Sequence, residues 1–345
     1  MKQNNIAIRC ITEKSKGYGN FSRCLVLAKA LRKHRYAITF LINKNKFVLS
    51  KLHQEKFTYF LIPDSIQYSG DSIVLKQFME YANSHVIILD MREYGEKLSK
   101  QLCKENFKIV LIDDAWVSRC YADVIINGTI PTKYHKYSKI KQDSKLFVGP
   151  KYFITNPEFQ KNKKKKSEIK SQKKYHITVS MGGADPKNTT MFVLKCLHII
   201  KNIRISAIVG PFFTNTDKIE QFATTHPAIK IIKNPTKIWN LFKKSDLVIS
   251  NSGSTLYELT IMQIPSLCIT SFKHEMPNAN AFSKIGVTVN LGKWNEIKPN
   301  RILSETSKII ENREKRRQMS CSSERIIDGN GINRVVRIIS DLITC

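Results

Sequence analysis

Residues around position 250 combine small side chains with one carboxylate at helical spacing. A predicted buried strand over 247–250 is followed by the small residues Ser252, Gly253, Ser254 and Thr255. A helix that starts here offers backbone N–H groups to a diphosphate, and Gly253 lets a ligand approach closely. Glu258 falls about one turn into that helix, where its carboxylate suits two ribose hydroxyls. An ordinary Ser-capped helix, with Glu258 favourable to the helix dipole, fits the same residues.

A second loop with small residues follows the predicted strand at 176–181. Gly182 and Gly183 come directly after that strand, and Asp185 with Pro186 suits the cap of a following helix. Many strand-to-helix turns carry glycines, so this loop is not specific by itself. Two such loops in one half of the chain favour a nucleotide diphosphate as the ligand.

A third loop lies near the N-terminus and contains Gly17, Gly19 and Arg23. Its spacing differs from the G-x-G-x-x-G pattern of dinucleotide-binding proteins, and no suitable acidic residue follows it. The loop fits contact with a sugar. It fits equally well a tight turn that leaves Arg23 at the surface.

Short apolar runs alternate with helical patterns in both halves of the chain. The predicted strands cover 6–10, 37–42, 57–62, 86–90, 109–112 and 124–127 in the first half, and 176–181, 205–209, 229–232, 247–250 and 265–269 in the second. Strands separated by helices indicate βαβ units and parallel sheets. We therefore predict an α/β protein with two doubly wound Rossmann-type domains and a ligand cleft between them. A lysine-rich run over 160–174, almost without apolar residues, predicts a solvated linker.

Composition narrows the classes of function. The formal net charge is +29 over 345 residues, but the lysines are spread along the whole chain and no basic helix is interleaved with aromatic residues. We therefore expect no specific nucleic-acid partner and at most peripheral contact with an anionic membrane. The eight cysteines form no C-x-x-C pair, and no apolar run has the length of a signal peptide or a membrane span. These features predict a cytoplasmic location.

Taken in order, the three loops resemble the UDP-sugar hydrolase family of pseudaminic acid biosynthesis and the related spore-coat polysaccharide proteins. Both groups are similar to the GT-B glycosyltransferases, and the resemblance runs over nearly the whole chain. It implies a GT-B-like fold with a sugar- or acceptor-side domain over 1–150, a basic linker over 151–174 and a UDP-binding domain over 175–325. It also implies that the last segment, 326–345, forms a helix that packs back on the first domain.

The resemblance also implies the placement of the ligand. UDP would lie on the second domain, with Ile232 and Asn234 at the uracil and Glu258 at the ribose. The helix starts after Gly183 and Gly253 would hold the phosphates, and the sugar would point at residues 17–23. No metal or other cofactor is implied, and the sequence has no Asp-x-Asp motif.

The chain departs from these hydrolases at one position. The family carries a histidine, thought to activate the attacking water, where this chain has Asn20. A neutral amide cannot take that proton, so another base is needed. The loop with His274 and Glu275 falls where the hydrolases commonly have Asn-Gln, which makes His274 our first candidate, although it also fits a surface loop. Asp113 and Asp114 are the other candidates.

Three functions fit these features. A hydrolase would cleave the anomeric C–O bond of a UDP-linked, acetamido-deoxy sugar with water and release UDP, in surface glycan or nonulosonic acid biosynthesis. A glycosyltransferase would pass the sugar to a glycan or lipid acceptor instead. A nucleotide-sugar binding protein without catalysis is the third alternative.

Overall fold

The computed structural model of the chain describes residues 5–12, 18–64, 66, 70–114, 117–139, 141–165, 168–169, 171 and 174–344. The chain divides into two compact units. Unit 1 comprises Met1–Asn156 and Asn330–Cys345, and unit 2 comprises Pro157–Gly329. Each unit is built on one parallel sheet, because its apolar strands alternate with helices that cross over the sheet. The predicted α/β fold with two parallel sheets is confirmed.

Unit 1 contains nine strands and five α-helices among its described residues. The strands are β1 (Asn5–Cys10), β2 (Ala37–Asn43), β3 (Thr58–Ile62), β4 (Val86–Asp90), β5 (Lys108–Ile112), β6 (Arg119–Cys120), β7 (Val124–Asn127), β8 (Ser138–Lys139) and β9 (Lys145–Val148). The helices are α1 (Gly19–Lys33), α2 (Lys46–Gln54), α3 (Asp71–Tyr81), α4 (Gly95–Leu102) and, from the far end of the chain, α13 (Gly331–Thr344).

The main sheet of unit 1 has the strand order β3-β2-β1-β4-β5-β7-β9. The order reverses between β1 and β4, which pair in register from Ile6 with Val86 to Cys10 with Asp90. The loops after these two strands leave in opposite directions, so a crevice opens at their carboxyl ends. Apolar side chains cover both faces of the sheet, as a buried parallel sheet requires.

Helix α13 belongs to unit 1 although it lies at the end of the chain. Its buried residues recur at helical spacing and are Ile332, Val335, Val336 and Ile339. They share one core cluster with the buried face of α1. Two amphipathic helices thereby cover the same face of the sheet, and each removes the other's apolar stripe from water.

Unit 2 contains six strands and eight α-helices among its described residues. The strands are β10 (Tyr175–Ser180), β11 (Ile203–Val209), β12 (Ile229–Lys233), β13 (Leu247–Asn251), β14 (Ser266–Thr270) and β15 (Thr288–Lys293). The helices are α5 (Pro157–Lys161), α6 (Thr189–Leu197), α7 (Thr216–Thr224), α8 (Ile238–Lys244), α9 (Ser254–Ile261), α10 (Met276–Lys284), α11 (Pro299–Ile310) and α12 (Arg313–Glu324).

The sheet of unit 2 has the order β12-β11-β10-β13-β14-β15. Its order reverses between β10 and β13, which pair from Ile177 with Leu247 to Ser180 with Ser250. Both glycine-containing loops predicted to bind phosphate follow these two strands. The chain order therefore brings them together at the point where open α/β sheets bind ligands.

The prediction of a solvated linker over 160–174 is wrong for the residues of that run that the structure describes. Lys164 and Ile169 are buried, and the carbonyl oxygen of Ile169 accepts a hydrogen bond from Arg313. Just before this run, α5 buries the ring of Phe159, which lies 5.8 Å from that of Trp239. These contacts lie within unit 2, so the described residues of the basic segment from Pro157 onward are part of that unit's packing.

The environment of Lys164 explains why the run of lysines wrongly predicted a solvated segment. Its side chain is buried, and Nζ donates to the carbonyl oxygen of Ser245 at 2.5 Å and lies 3.8 Å from Oδ1 of Asp246. Burial lowers the pKa of this ammonium group, while the Asp246 charge opposes the shift. A run of like charges predicts solvation only when none of its members finds a buried partner.

Candidate functional site

The loops after β10 and β13 of unit 2 touch through Gly182 and Asn251. Gly182 has a φ of 78°, and a Cβ atom there would stand 3.5 Å from Asn251 Nδ2. Next to it, a Cβ atom on Gly210 would lie 2.4 Å from the carbonyl oxygen of Gly183. The carboxyl ends of β10 and β11 therefore approach each other so closely that their backbones are in contact. Only glycine, which has no side chain, permits this approach.

The start of α9 offers its backbone N–H groups without a side-chain cap. Gly253 occupies the cap position, and no side chain accepts a hydrogen bond there. Ser254 is exposed and Thr255 is buried, so the first turn is open on one side. The unpaired N–H groups and the dipole of this helix favour an anion. Ser252, by contrast, is buried with its hydroxyl 3.2 Å from that of Thr270.

The start of α6 differs, because a carboxylate already fills it. Asp185 accepts from the backbone N–H groups of Thr189 at 2.9 Å and Thr190 at 2.7 Å. Asp185 therefore binds the first N–H groups of this helix, but the residue at the cap position is Asn188, and the helix begins at Thr189 and not at Pro186. An anion bound beside Gly183 would meet the Asp185 charge, so the expectation that this helix start holds a phosphate is not supported.

Glu258 of unit 2 lies in an environment that is unusual for a carboxylate. It is half-buried on α9, and its carboxylate has no hydrogen-bond or ion-pair partner among the described residues. Burial raises its pKa to about 7, because water solvates the charged form poorly there. A desolvated carboxylate without donors is suited to a ligand that brings two hydroxyl groups.

Glu275 contributes to the local structure of the neighbouring loop. Its Oε2 accepts from the backbone N–H groups of Ser271 and Phe272, at 2.9 and 3.2 Å. Its Oε1 lies 3.4 Å from Asn251 Nδ2. Because these contacts occupy both carboxylate oxygens, the geometry assigns Glu275 a bracing role for this loop and leaves its predicted contact with substrate as a prediction.

Three further residues predicted for the site lie in or after strands β12 and β14 of unit 2. Ile232 is half-buried near the end of β12, and Asn234 follows exposed with a φ of 45°; its N–H donates to Val209 O at 3.0 Å. His274 is exposed in a short turn before α10, and its ring stacks on that of Phe272 with 5.6 Å between centroids. Its role as a base stays a prediction.

In unit 1 the start of α1 meets the end of β4. Asn20 Nδ2 donates to Asp90 Oδ1 at 2.5 Å, and Arg23 donates to both oxygens of Asp90 at 2.7 and 2.9 Å. Arg23 also donates to both oxygens of Asp114, at 2.5 and 3.0 Å. Two carboxylates hold this guanidinium, so it stays charged; the nearby acids raise its pKa against the effect of burial.

Asp113 lies in a second polar cluster at the same sheet edge. It is buried and accepts from the hydroxyl of Tyr137 at 2.7 Å, while that hydroxyl accepts from Asn127 Nδ2 at 2.6 Å. Burial, with the Asp113 charge beside it, raises the pKa of Tyr137 far above its ordinary value. Asp113 thus serves as an acceptor for Tyr137, whereas Asp114 is one-third exposed.

Gly17 lies outside the described residues. Gly19 opens α1, and a Cβ atom there would meet nothing within 4 Å. Sequence reasoning missed Asp90, Asn251 and Tyr137. The one available signal for Asp90 is its place as the charged last residue of the otherwise apolar strand β4.

Two further observations concern metal binding and membrane spans. Within the described part of the chain, no three His, Cys, Asp or Glu side chains are grouped to hold a metal ion. The same residues include no helix long and apolar enough to cross a membrane.

Two Rossmann-type units in one chain, each with polar residues at its reversal of strand order, are the architecture of the GT-B fold. The solved structure of MurG from Acinetobacter baumannii shares this fold with a TM-score of 0.75 at 13% identity, over 98% of this chain and 99% of that one. The predicted GT-B-like fold is confirmed.

Sequence comparison gives the family. Residues 157–331 match the family described as "Glycosyltransferase family 28 C-terminal domain", and the chain belongs to it. This match coincides closely with unit 2. The chain is 25% identical to the spore coat polysaccharide biosynthesis protein SpsG of Bacillus subtilis, over 95% of each protein.

A second relative carries an activity in its name. The chain is 25% identical to the UDP-2,4-diacetamido-2,4,6-trideoxy-beta-L-altropyranose hydrolase of Campylobacter jejuni, over 79% of this chain and 94% of that protein. The resemblance drawn from the three loops is therefore confirmed. The relatives and the fold together identify an enzyme of the nucleotide-sugar hydrolase and glycosyltransferase group.

Proposed function

We propose that this chain cleaves the anomeric C–O bond of a UDP-linked sugar with water and releases UDP. The observation that carries the proposal is Glu258, a half-buried carboxylate without a described partner on the helix whose first turn is uncapped. A nucleoside diphosphate would satisfy both features at once. Its ribose hydroxyls would donate to Glu258, and its phosphates would accept from the N–H groups at the start of α9.

The helix start would also assist bond cleavage. When the anomeric bond breaks, negative charge develops on the departing diphosphate, and fixed N–H dipoles stabilise that charge without reorganisation. No metal is part of this proposal, so UDP release should continue in EDTA. The sugar class, an acetamido-deoxy sugar of surface glycan or nonulosonic acid biosynthesis, follows the relatives' printed names. The cytoplasmic location stays a prediction.

A glycosyltransferase is the second candidate, and the family match over residues 157–331 favours it. Asn20 cannot accept a proton, and the carboxylates near it are already hydrogen-bonded to Arg23 or Tyr137. Attack by water and attack by an acceptor hydroxyl would both need a base from elsewhere, so the base does not separate the two candidates.

The test is to incubate the protein with a panel of UDP-sugars in ¹⁸O-labelled water, with and without candidate lipid or glycan acceptors. The hydrolase proposal expects UDP free of ¹⁸O together with the free reducing sugar, in the absence of acceptor. UDP release that requires an acceptor would establish the transferase instead. Tight binding of a UDP-sugar without turnover in either arm would make the chain a binding protein.

A further inference from the structure

Asp90 stands at the centre of the polar cluster of unit 1. It is the last residue of β4, fully buried, and its carboxylate receives donors from Asn20, Arg23 and Cys24. These three residues lie on one face of α1 at spacings of three and four residues. One carboxylate at the reversal of strand order therefore fixes three side chains at the start of that helix.

The hydrogen bond between Asn20 and Asp90 fixes which end of the Asn20 amide points away from Asp90. An amide has a donor end and an acceptor end, while an ionised carboxylate only accepts. The 2.5 Å contact therefore uses the NH₂ end, since the opposite orientation would press two acceptors together. Asn20 Oδ1 is the remaining acceptor, and no described residue donates to it.

Arg23 forms an ion pair with Asp90 and does not compete for this role. Its bonds to Asp90 and Asp114 occupy three of its donor groups. The three charges sum to one negative charge, so the cluster does not attract a diphosphate. Arg23 thus acts as a clamp on the two carboxylates, and Asn20 Oδ1 is a neutral acceptor of this cluster that Arg23 does not engage.

We infer that Asp90 is a positioning residue, which holds the amide of Asn20 so that its Oδ1 accepts a hydrogen bond from the attacking hydroxyl. This inference rests on the proposed function. The attacking group is the O–H of water in the hydrolase or of the acceptor in the transferase, and both present the same donor. Oδ1 orients that oxygen and takes no proton; the proton leaves to another base or to solvent.

Replacing Asn20 with histidine tests the inference, because a ring N–H would donate to Asp90 as the amide does. The second ring nitrogen would then lie near the place of Oδ1, free to act as a base. Asn20→His should raise kcat for UDP release at least about tenfold, as added base catalysis does. In an Asp90→Asn background the gain should be lost, since a neutral amide in place of the carboxylate imposes no fixed ring orientation.

Asp90→Asn alone should lower kcat by up to about 100-fold, the cost of a misplaced group, without changing UDP affinity. The matched control is Asp123→Asn. Asp123 is also buried in unit 1 and paired with Lys141 at 2.7 Å, but it precedes β7 at the opposite edge of the sheet. Its loss should leave kcat unchanged per folded molecule.

An NMR titration adds a readout that needs neither turnover nor the Asp90 variant. In Asn20→His, the pKa of the introduced imidazole should exceed the ordinary value of about 6.5, because the Asp90 carboxylate stabilises its charged form. A pKa at or below that ordinary value, or an equal gain in kcat in both Asp90 backgrounds, would overturn the positioning role. If neither the wild type nor the variant released UDP from any UDP-sugar, the proposed function itself would fall.

Discussion

Asn251 and Glu275 join the two loops of unit 2 that flank the start of α9. The amide Nδ2 of Asn251 lies 3.4 Å from Glu275 Oε1, while its buried Oδ1 has no partner among the described residues. The same amide lies 3.5 Å from the Cβ position of Gly182 and 3.4 Å from that of Gly253. One side chain thus fills the space between both glycines and retains a polar atom that folding leaves unsatisfied.

An unsatisfied buried acceptor costs about 1–3 kcal/mol, so such atoms persist where they serve a ligand site. We expect Asn251→Ala to change the free energy of unfolding by less than about 1 kcal/mol, since the relieved acceptor offsets the lost contacts. UDP affinity should nevertheless fall, because the loops that contain Gly182 and Gly253 lose the side chain that fills the space between them. Urea unfolding and calorimetry measure the two effects. Equal losses of stability and affinity would mean that Asn251 serves folding only.

Glu258→Ala should weaken UDP binding by about 1.5–3 kcal/mol, because the ribose hydroxyls lose a charged acceptor. The matched control is Glu314→Ala, since Glu314 is exposed on α12 of the same unit. Calorimetry with UDP checks both variants. An unchanged affinity in a folded Glu258→Ala protein would remove Glu258 from the site.

The same residue predicts how stability depends on pH. Its pKa is raised from 4.5 in the unfolded chain to about 7 in the fold, so the folded state binds the proton more tightly. Its favourable contribution is fully present below pH 4.5 and is lost as the pH rises through about 7. The loss is on the order of 2–3 kcal/mol at about 1.36 kcal/mol per pKa unit, after an allowance for partial exposure. Glu258→Gln should lack this dependence.

Urea unfolding of both proteins at about pH 5 and pH 8 measures that difference. The Gln variant should be the more stable protein at the higher pH, although it binds UDP less well. Parallel curves for the two proteins across this range would contradict a raised pKa at Glu258. UDP should restore the wild type's stability at the higher pH, because bound hydroxyls solvate the carboxylate.

Most of the fold follows from local patterns, and the exceptions have physical causes. The strands at 86–90 and 124–127 match β4 and β7 residue for residue, because they are short, apolar and fully buried. Strand β15 was not predicted, since Asn290 and Gly292 interrupt its apolar pattern at the sheet edge. Helix α6 begins later than predicted because Asp185 and Asn188 adopt positive φ, which forms a turn first.

The candidate site could be predicted only in part. Gly253 and Glu258 are close in the chain, so their spacing on one helix is visible in the sequence. Asn20 and Asp90 are 70 residues apart and meet only through the pairing of β1 with β4. No local pattern contains that contact, and the same holds for Asn251 with Glu275.

Substitution of Lys164 tests whether the lysine-rich segment packs within unit 2. Replacing it with alanine leaves Asp246 and the Ser245 carbonyl buried with fewer donors, so the free energy of unfolding should fall by about 2–4 kcal/mol. Lys165 is the next residue and is exposed, so Lys165→Ala is the matched control and should change stability by less than about 0.5 kcal/mol. Thermal or urea unfolding of the two variants decides the matter, and a solvated linker would give equal, negligible effects.

The final prediction concerns the base that a hydrolase needs. Asn20 cannot accept a proton, and Asp113 and Asp114 are held by Tyr137 and Arg23. His274 is exposed on unit 2 and stacks on Phe272, so its ring is accessible to water. Histidine is the side chain that most often serves as a general base near neutral pH.

We therefore expect His274→Ala to lower UDP release by about 10²–10⁴-fold while UDP affinity stays unchanged. His198→Ala is the control, because His198 is also an exposed histidine of unit 2 and lies at the end of α6, where the chain returns to the amino ends of the strands. If both variants release UDP at the wild-type rate, His274 is not the base and the proton must leave to another group.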